Sequence, residues 1–354
     1  MLSLNDREWK EFTFAEANVV CKNSKAFHIY SLTNDPKGIA YITRTSKNNG
    51  LSFTVNKMKY KLNPANTLTF GAENADFFFQ PFKYITGNKM YYLKNNNFNK
   101  YSWLFFKVVV AKSTANSFSY GYGMIPKRLL KKRFLLPINE QGQLDYGFME
   151  NYVRERETSK KQEYLDYVKE KIVKLEYKEI PTLEEKEWKE YFIGGDEGLF
   201  VIKAGKRLTT ADMDLGKTPF IGSTDSNNGI TNWIKTINST LDRNVLGVNY
   251  NGSVVESFYH NYECVFSDDV KRLHLKNISD NKYVLLFFST IIKQQKIKYT
   301  YGYKFNGYRM ARQKILVPIN EQGQPDYEYM EQYIKNMMLN KYNLYLEYSN
   351  KSHN

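Results

Sequence analysis

Between Trp9 and Leu135 the apolar positions fall mostly in short runs, such as Gly38-Ile39-Ala40-Tyr41-Ile42, Leu51-Ser52-Phe53-Thr54-Val55 and Thr67-Leu68-Thr69-Phe70. Clusters of Asn, Gly, Lys and Pro bound them, the pattern of strands joined by turns. Two longer apolar runs, Trp103 to Lys112 and Tyr283 to Lys293, predict helices. The mixture predicts an α+β globule. A different pattern begins at Asp145. From there to Tyr177 the chain is dense in Glu, Lys and Arg, with no Gly after Gly147 and no Pro before Pro181. Leu165, Val168, Ile172 and Leu175 recur at spacings of 3, 4 and 3, a coiled-coil seam. Asp145 is placed to cap the N-terminus of this helix, which at ~1.5 Å per residue would be roughly 50 Å long. A second such helix is expected from Asp326 to about Tyr348, with Met330, Ile334, Met337, Leu344 and Tyr348 near one face and Lys341 breaking the stripe. The two helices are expected to pair as an antiparallel coiled-coil spacer.

The second half of the chain repeats the first. Leu136-Pro137-Ile138-Asn139-Glu140-Gln141-Gly142-Gln143-Leu144-Asp145-Tyr146 returns as Val317-Pro318-Ile319-Asn320-Glu321-Gln322-Gly323-Gln324-Pro325-Asp326-Tyr327, an offset of 317 − 136 = 181. Trp9-Lys10-Glu11-Phe12 returns as Trp188-Lys189-Glu190-Tyr191, and Asn48-Asn49-Gly50 as Asn227-Asn228-Gly229, both at 179. Ser119-Tyr120-Gly121-Tyr122 returns as Thr300-Tyr301-Gly302-Tyr303 at 181. A period this long means tandem domains and not a solenoid. The expected organisation is a globule over 1–143, a helix over 144–180, a second globule over 181–324 and a second helix over 325–354.

Charge narrows the function. The chain of 354 residues carries 51 Lys plus Arg against 37 Asp plus Glu, a net +14 that suits a polyanion, since each neutralised phosphate releases counterions. Its 29 tyrosines can pack strands, bond phosphates or stack on bases. Two distant cysteines, Cys21 and Cys264, make no disulfide framework. The start lacks the apolar core of a signal peptide, and the longest mostly apolar stretch, Tyr283 to Ile292, is too short to span a bilayer. A cytoplasmic protein is expected, with no membrane partner.

Catalytic signatures are missing. An adenine methyltransferase needs an Asn/Asp-Pro-Pro-aromatic turn, and Asp35-Pro36-Lys37-Gly38 and Asn63-Pro64-Ala65-Asn66 lack its second proline and its aromatic. No P-loop or dinucleotide-binding glycine pattern occurs, so no catalytic residue, metal or cofactor is expected. Candidate DNA contacts are more visible. Thr43, Arg44, Thr45, Ser46, Lys47 and Asn48 offer an Arg for guanine, an Asn for adenine and hydroxyls for phosphate. Ser223, Thr224, Asp225 and Asn227 hold the same place in the second half with different chemistry, so the shared Asn-Asn-Gly reads as a structural turn and the residues before it as base readers. Tyr120, Tyr122, Lys127 and Arg128, then Tyr301, Tyr303, Lys304 and Arg309, lead or lie in basic stretches suited to phosphate clamping. Lys83, Lys271 and His260, the last in an aromatic run, complete the candidates; a packing role for His260 stays open.

The order globule, helix, globule, helix resembles the specificity (S) subunits of Type I restriction–modification enzymes, and among them the BcgI-like S subunits. Leu136 to Val153 and Val317 to Ile334 carry what looks like their hallmark, with Pro325 standing where the first copy has Leu144. Tyr41 to Gly50, Phe79-Gln80-Pro81-Phe82, Asn251-Gly252-Ser253-Val254, Phe258-Tyr259-His260 and Ser267 to Lys271 also look familial. The resemblance covers essentially the whole chain. It implies two target-recognition domains reading a bipartite, asymmetric DNA site. It further implies helices that set the spacing and dock DNA methyltransferase subunits, two of them, with a nuclease subunit or domain. Half-site centres on the order of 14 base pairs apart would follow from the helix length at ~3.4 Å per base pair. The alternatives are a stand-alone DNA-binding regulator, an unpartnered spare S subunit, or an enzyme of unrecognised type.

Overall fold

The computed structural model describes residues 1–56, 60–73, 76–119, 121–300 and 302–351. It divides into two compact units, Met1–Tyr164 and Leu165–Asn354.

In the first unit, β1 (Glu8–Thr13), β2 (Val20–Asn23), β3 (Asn34–Ile42), β4 (Leu51–Val55), β5 (Thr67–Gly71), β6 (Phe77–Gln80), β7 (Tyr84–Thr86) and β8 (Met90–Lys94) precede helix α1 (Lys100–Thr114). A short α2 (Pro126–Leu129), β9 (Arg133–Ile138) and the long α3 (Tyr146–Val173) follow. The strands form a β1-β9 ribbon, a four-stranded sheet in the order β2-β8-β5-β6 and a three-stranded sheet β4-β3-β7. The second unit repeats every piece. It holds β10 (Trp188–Phe192), β11 (Phe200–Ala204), β12 (Leu215–Ile221), β13 (Ile230–Ile234), β14 (Val245–Asn249), β15 (Ser257–His260), β16 (Val265–Phe266) and β17 (Val270–Leu275). Then come α4 (Lys282–Gln294), α5 (Gly307–Ala311), β18 (Lys314–Pro318) and α6 (Tyr327–Lys351). Its sheets are β10-β18, β11-β17-β14-β15 and β13-β12-β16. The expected α+β class, strands and core helices are all present.

One frame is filled by two different cores. Phe14, Phe98, Trp103, Phe106 and Phe134 make the first centre rich in aromatic rings, packed edge to face. Leu246, Val248, Leu273, Leu285, Ile292 and Val317 make the second mostly aliphatic. What the units share lies in polar joints. Asn99 caps α1 by accepting from the N–H groups of Tyr101 and Ser102, and its amide donates to Glu150 Oε2 of α3 at 2.5 Å. Asn281 caps α4 in the same way and donates to Glu331 Oε2 of α6 at 2.7 Å. The repeated Pro-Ile-Asn-Glu-Gln-Gly-Gln is a turn. Asn139 Oδ1 accepts from the N–H groups of Gln141 and Gln143, as Asn320 Oδ1 does from Gln322 and Gln324. Gly142 and Gly323 take φ of 70° and 69°, which favours glycine. Asp145 and Asp326 then cap the long helices, accepting from Phe148 N at 2.8 Å and Tyr329 N at 2.9 Å, as the sequence predicts.

The long helices depart from expectation in two ways. α3 stops at Val173, not Tyr177, after 28 residues or about 42 Å. Its end tightens into three-residue turns, Lys174 N donating to Lys171 O and Leu175 N to Ile172 O. On α6, Met330 and Ile334 are buried in their own globule, but Met337, Leu344 and Tyr348 of the same stripe are exposed. The reason is length: α6 has 25 residues and the α4 it packs on has 13, so the stripe runs past the end of the core. Within the second unit, the end of α3 meets α6 through Tyr167 and Tyr342, ring centroids 6.4 Å apart, and Val168 is buried while Leu165, Ile172 and Leu175 are half-buried. The linker to β10 is strapped along α6, with Asn336 accepting from Lys178 N and donating to its carbonyl. Among the described residues, no helix is long and apolar enough to cross a membrane.

Candidate nucleic-acid interface

Each unit projects a loop between the first two strands of its three-stranded sheet. Thr43 N donates to Gly50 O at 2.8 Å, closing the first loop, and Gly222 N donates to Gly229 O at 2.9 Å in the second. Inside each closure the chain turns through left-handed residues: Asn48 at φ 50°, Asn49 at 55° and Gly50 at 78°, matched by Asn227 at 51°, Asn228 at 52° and Gly229 at 79°. Asn tolerates this conformation best after Gly. A Cβ on Gly50 or Gly229 would also press on Phe78 or Phe258. The middle Asn anchors the turn from below: Asn49 Nδ2 donates to Phe79 O at 2.8 Å and Asn228 Nδ2 to Tyr259 O at 3.2 Å. That leaves the preceding residues outermost, with Ser46, Lys47, Asn48, Asp225 and Asn227 exposed and Thr43, Arg44, Thr45, Ser223 and Thr224 half-buried. Lys83 is exposed in the turn that follows β6, beside Phe82 at 78% exposure.

The base-reading positions are held differently in the two units. Arg44 forms an ion pair with Glu73, which Lys89 also approaches at 3.4 Å. The Arg44 side chain lies against Gly71, where a Cβ would come within 2.7 Å of it. In the second unit Ser223 lies against Gly252, Asn249 Nδ2 donates to Thr224 O at 2.9 Å, and Asn251 Nδ2 donates to Asp269 Oδ1 at 2.9 Å. A guanidinium fork on one frame is thus replaced by hydroxyls and an amide on the other.

The segment Gly71–Glu73 also brings a second cluster alongside Arg44, because Met124 N donates to Ala72 O at 2.7 Å. Ser119 and Tyr122 bond each other in a tight hairpin that presents the Tyr122 ring, 52% exposed. That ring stacks on Phe118 at 6.2 Å and 13°, and the Arg128 guanidinium covers its other face at 3.9 Å while donating to Gly123 O at 2.9 Å. Tyr303 repeats this: it stacks on Tyr299 at 5.6 Å and 9°, Arg309 covers it at 3.9 Å, and Arg309 donates to Lys304 O at 2.9 Å. Phe118 and Tyr299 escape a motif search but are visible once residues 117–133 are aligned with 298–314. Lys127 is exposed beside the first stack; Tyr120 and Tyr301 lie outside the described residues.

Other candidates turn inward. His260 is fully buried between Tyr262 and Phe266 and cannot touch DNA; its Nδ1 lies 3.2 Å from Tyr262 Oη and 3.5 Å from Asn228 Nδ2, so it backs the loop from behind. Burial lowers its pKa to about 4. Lys271 is half-buried, its ammonium 4.7 Å from the centre of the Tyr250 ring, and desolvation holds it below the usual lysine range. Arg272, next to Lys271, is buried in an ion cluster: Arg272 Nη1 and His274 Nε2 meet Asp242 Oδ2 at 2.8 and 3.0 Å, and His274 Nδ1 meets Asp280 at 2.7 Å. Arg133 and Lys314 pair across their ribbons with Glu11 and Glu190. Burial pushes the thiols of Cys21 and Cys264 up to about 12, which keeps both protonated. Among the described residues, no group of His, Cys, Asp and Glu could hold a metal ion.

The chain matches the family model described as Type I restriction modification DNA specificity domain twice, over residues 6–165 and 185–347. It is 43% identical over 303 residues to the Type II restriction enzyme BgcI specificity subunit S.BcgI of Heyndrickxia coagulans, covering 85% of this chain and 86% of that one. It is also similar, at 16% identity and a TM-score of 0.47, to the crystal structure of a Type I restriction–modification S subunit from M. genitalium, over 98% of this chain and 93% of that one. For the HsdS subunit from Thermoanaerobacter tengcongensis the identity is 11%, the TM-score 0.34 and the coverage 95% and 90%. With both halves matched, this chain belongs to the family of DNA specificity subunits of restriction–modification systems.

Proposed function

We propose that each globule reads one half of a bipartite, asymmetric duplex target. Residues 1–143 and 181–324 act as the recognition domains, and 144–180 and 325–354 as spacer helices that pair as an antiparallel coiled coil. The helices dock two DNA methyltransferase subunits and a nuclease subunit or domain. Methylation and cleavage belong to those partners; this chain supplies the address, in the cytoplasm, without a cofactor. One observation carries the reading: two matching loop frames, closed by the same bonds and the same left-handed Asn-Asn-Gly, hold Arg44 and Lys47 in one unit and Ser223 and Asp225 in the other. Equal frames with unequal readers suit one protein recognising two different half-sites. The exposed Met337 and Leu344 favour a chain that works in a complex over a stand-alone regulator, since exposed apolar positions along one helix face suit an interaction site.

Co-expression with the methyltransferase of its own host, followed by long-read mapping of methylated bases across the genome, tests this. A two-part asymmetric motif is expected, changed in one half by Arg44→Ala and in the other by altering Thr224–Asn228. Co-purification without any methylated motif would reject the reading.

A further inference from the structure

The Phe118–Tyr122–Arg128 stack borders a cleft of about 640 Å³ whose lining also includes Lys127, Lys131 and Lys132. Four cations converge there, and no carboxylate lines the cleft among the described residues. Like charges gathered without a counter-charge repel one another, so the arrangement calls for an anion from outside.

The second unit keeps the same device. Each stack residue has its counterpart at an offset of 181: 299 − 118, 303 − 122 and 309 − 128. An ammonium also covers the inner ring in both units, though it comes from opposite sides of a swapped pair. Lys132 Nζ lies 5.6 Å from the Phe118 ring and donates to Ser117 Oγ at 2.9 Å. At the equivalent place Lys298 Nζ lies 5.5 Å from the Tyr299 ring and donates to Gln313 Oε1 at 3.0 Å. Position 132 matches 313 and position 117 matches 298, so the cation has changed residue while keeping its place. The result is twice a layered Lys–aromatic–Tyr–Arg stack. Each guanidinium lies 3.9 Å from its ring centre and is fixed by one bond to a backbone carbonyl, which leaves its remaining N–H groups to act as a planar fork.

A feature that is the same in both units cannot tell two different half-sites apart. From this, resting on the DNA-recognition reading above, we infer that the two stacks are sequence-independent phosphate clamps: Arg128 and Arg309 each grip one backbone phosphate of duplex DNA at equivalent places, while the divergent loops read bases.

Arg128→Gln and Arg309→Gln test the inference in the full chain. Glutamine keeps a donor for the Gly123 or Lys304 carbonyl and removes the charge. Affinity for a labelled random-sequence duplex is measured by fluorescence anisotropy over a range of salt concentrations, with thermal melting as a check on folding. Each variant should bind about tenfold more weakly, as for loss of one charge-assisted bond. Each should lower the slope of log affinity against log salt by about 0.9, and the double variant by about twice that. Arg128→Lys, which restores the charge without the planar guanidinium, should recover the slope. The methylated motif of the full complex should be the same in every variant. An unchanged slope, or a changed motif, would overturn the inference. Absence of any motif from the wild-type complex would reject the specificity reading alone, since the salt slopes of the chain still decide whether the clamps exist.

Discussion

His260 and Gln80 occupy the same place in the two units and support the same turn with different chemistry. Gln80 Nε2 donates to Asn49 O at 3.2 Å and to Thr69 Oγ1 at 3.1 Å. His260 reaches Tyr262 and Asn228 through Nδ1, while its Nε2 is buried with no partner, against the bare Cα of Gly247. The neutral ring fits there and the charged ring does not. The sign of the pH effect follows. With a folded pKa near 4 against an ordinary 6.5, the folded unit binds fewer protons than the unfolded chain, so His260 destabilises the unit as pH falls from 6.5 towards 4. His274 acts in the other window. Bonds to Asp280 and Asp242 raise its pKa, so its contribution is complete below 6.5 and is lost as pH rises through the raised value. His260→Gln, copying the first unit, should flatten the acid limb of a denaturation profile of the second unit and leave the alkaline limb unchanged. The sequence placed His260 in an aromatic run, but its direction depends on what covers each face of its sheet, which one strand does not reveal. Arg44 was legible as a donor; its partner Glu73 was not, because that pairing spans two loops.

Elements were easier to read than contacts. The strands over residues 38–42, 51–55 and 67–70 and both core helices follow from alternation and apolar runs, which report the local chain alone. The first long helix was misjudged at its C-terminal end, and the second in what covers its apolar stripe. Lys and Glu continue past Val173 with no residue that stops a helix, and the stripe on α6 has no mark at the point where the globule stops covering it. Capping was read correctly, and it supports a graded prediction. Asp145→Ala should destabilise the first unit by about 1 kcal/mol, the usual cost of a lost N-cap. Asp326→Ala should cost more, because it also strips Lys186 of a 2.6 Å ion pair in which both side chains are less than one-fifth exposed, whereas Arg7, the partner of Asp145, is 39% exposed. Urea unfolding followed separately for the two units by their tryptophans would rank the variants.

At the scale of the whole molecule, duplication is the organising fact, and it was the most legible feature of all because identical motifs survive in two unlike cores. It also makes a modular prediction. Giving the second loop the chemistry of the first, through Ser223→Arg, Asp225→Ser and Ser226→Lys together with Asn249→Gly, which copies the bare Gly71 that makes room for Arg44, should rewrite one half of the methylated motif and leave the other intact. A change in both halves, or in neither, would show that the loops do not act independently. The ribbon that closes each unit has a kinetic consequence. Its strands begin pairing at Glu8 with Ile138 and at Trp188 with Pro318, partners 130 residues apart in both units. Closing so long a loop costs entropy that only the finished globule returns, so ribbon formation belongs to the last stage of folding. During synthesis, β1 leaves the ribosome long before β9 exists and waits as an unpaired edge. A chain arrested before Arg133 would keep that edge open and be prone to aggregation, while one released after α3 would hold a first unit with its ribbon already shut.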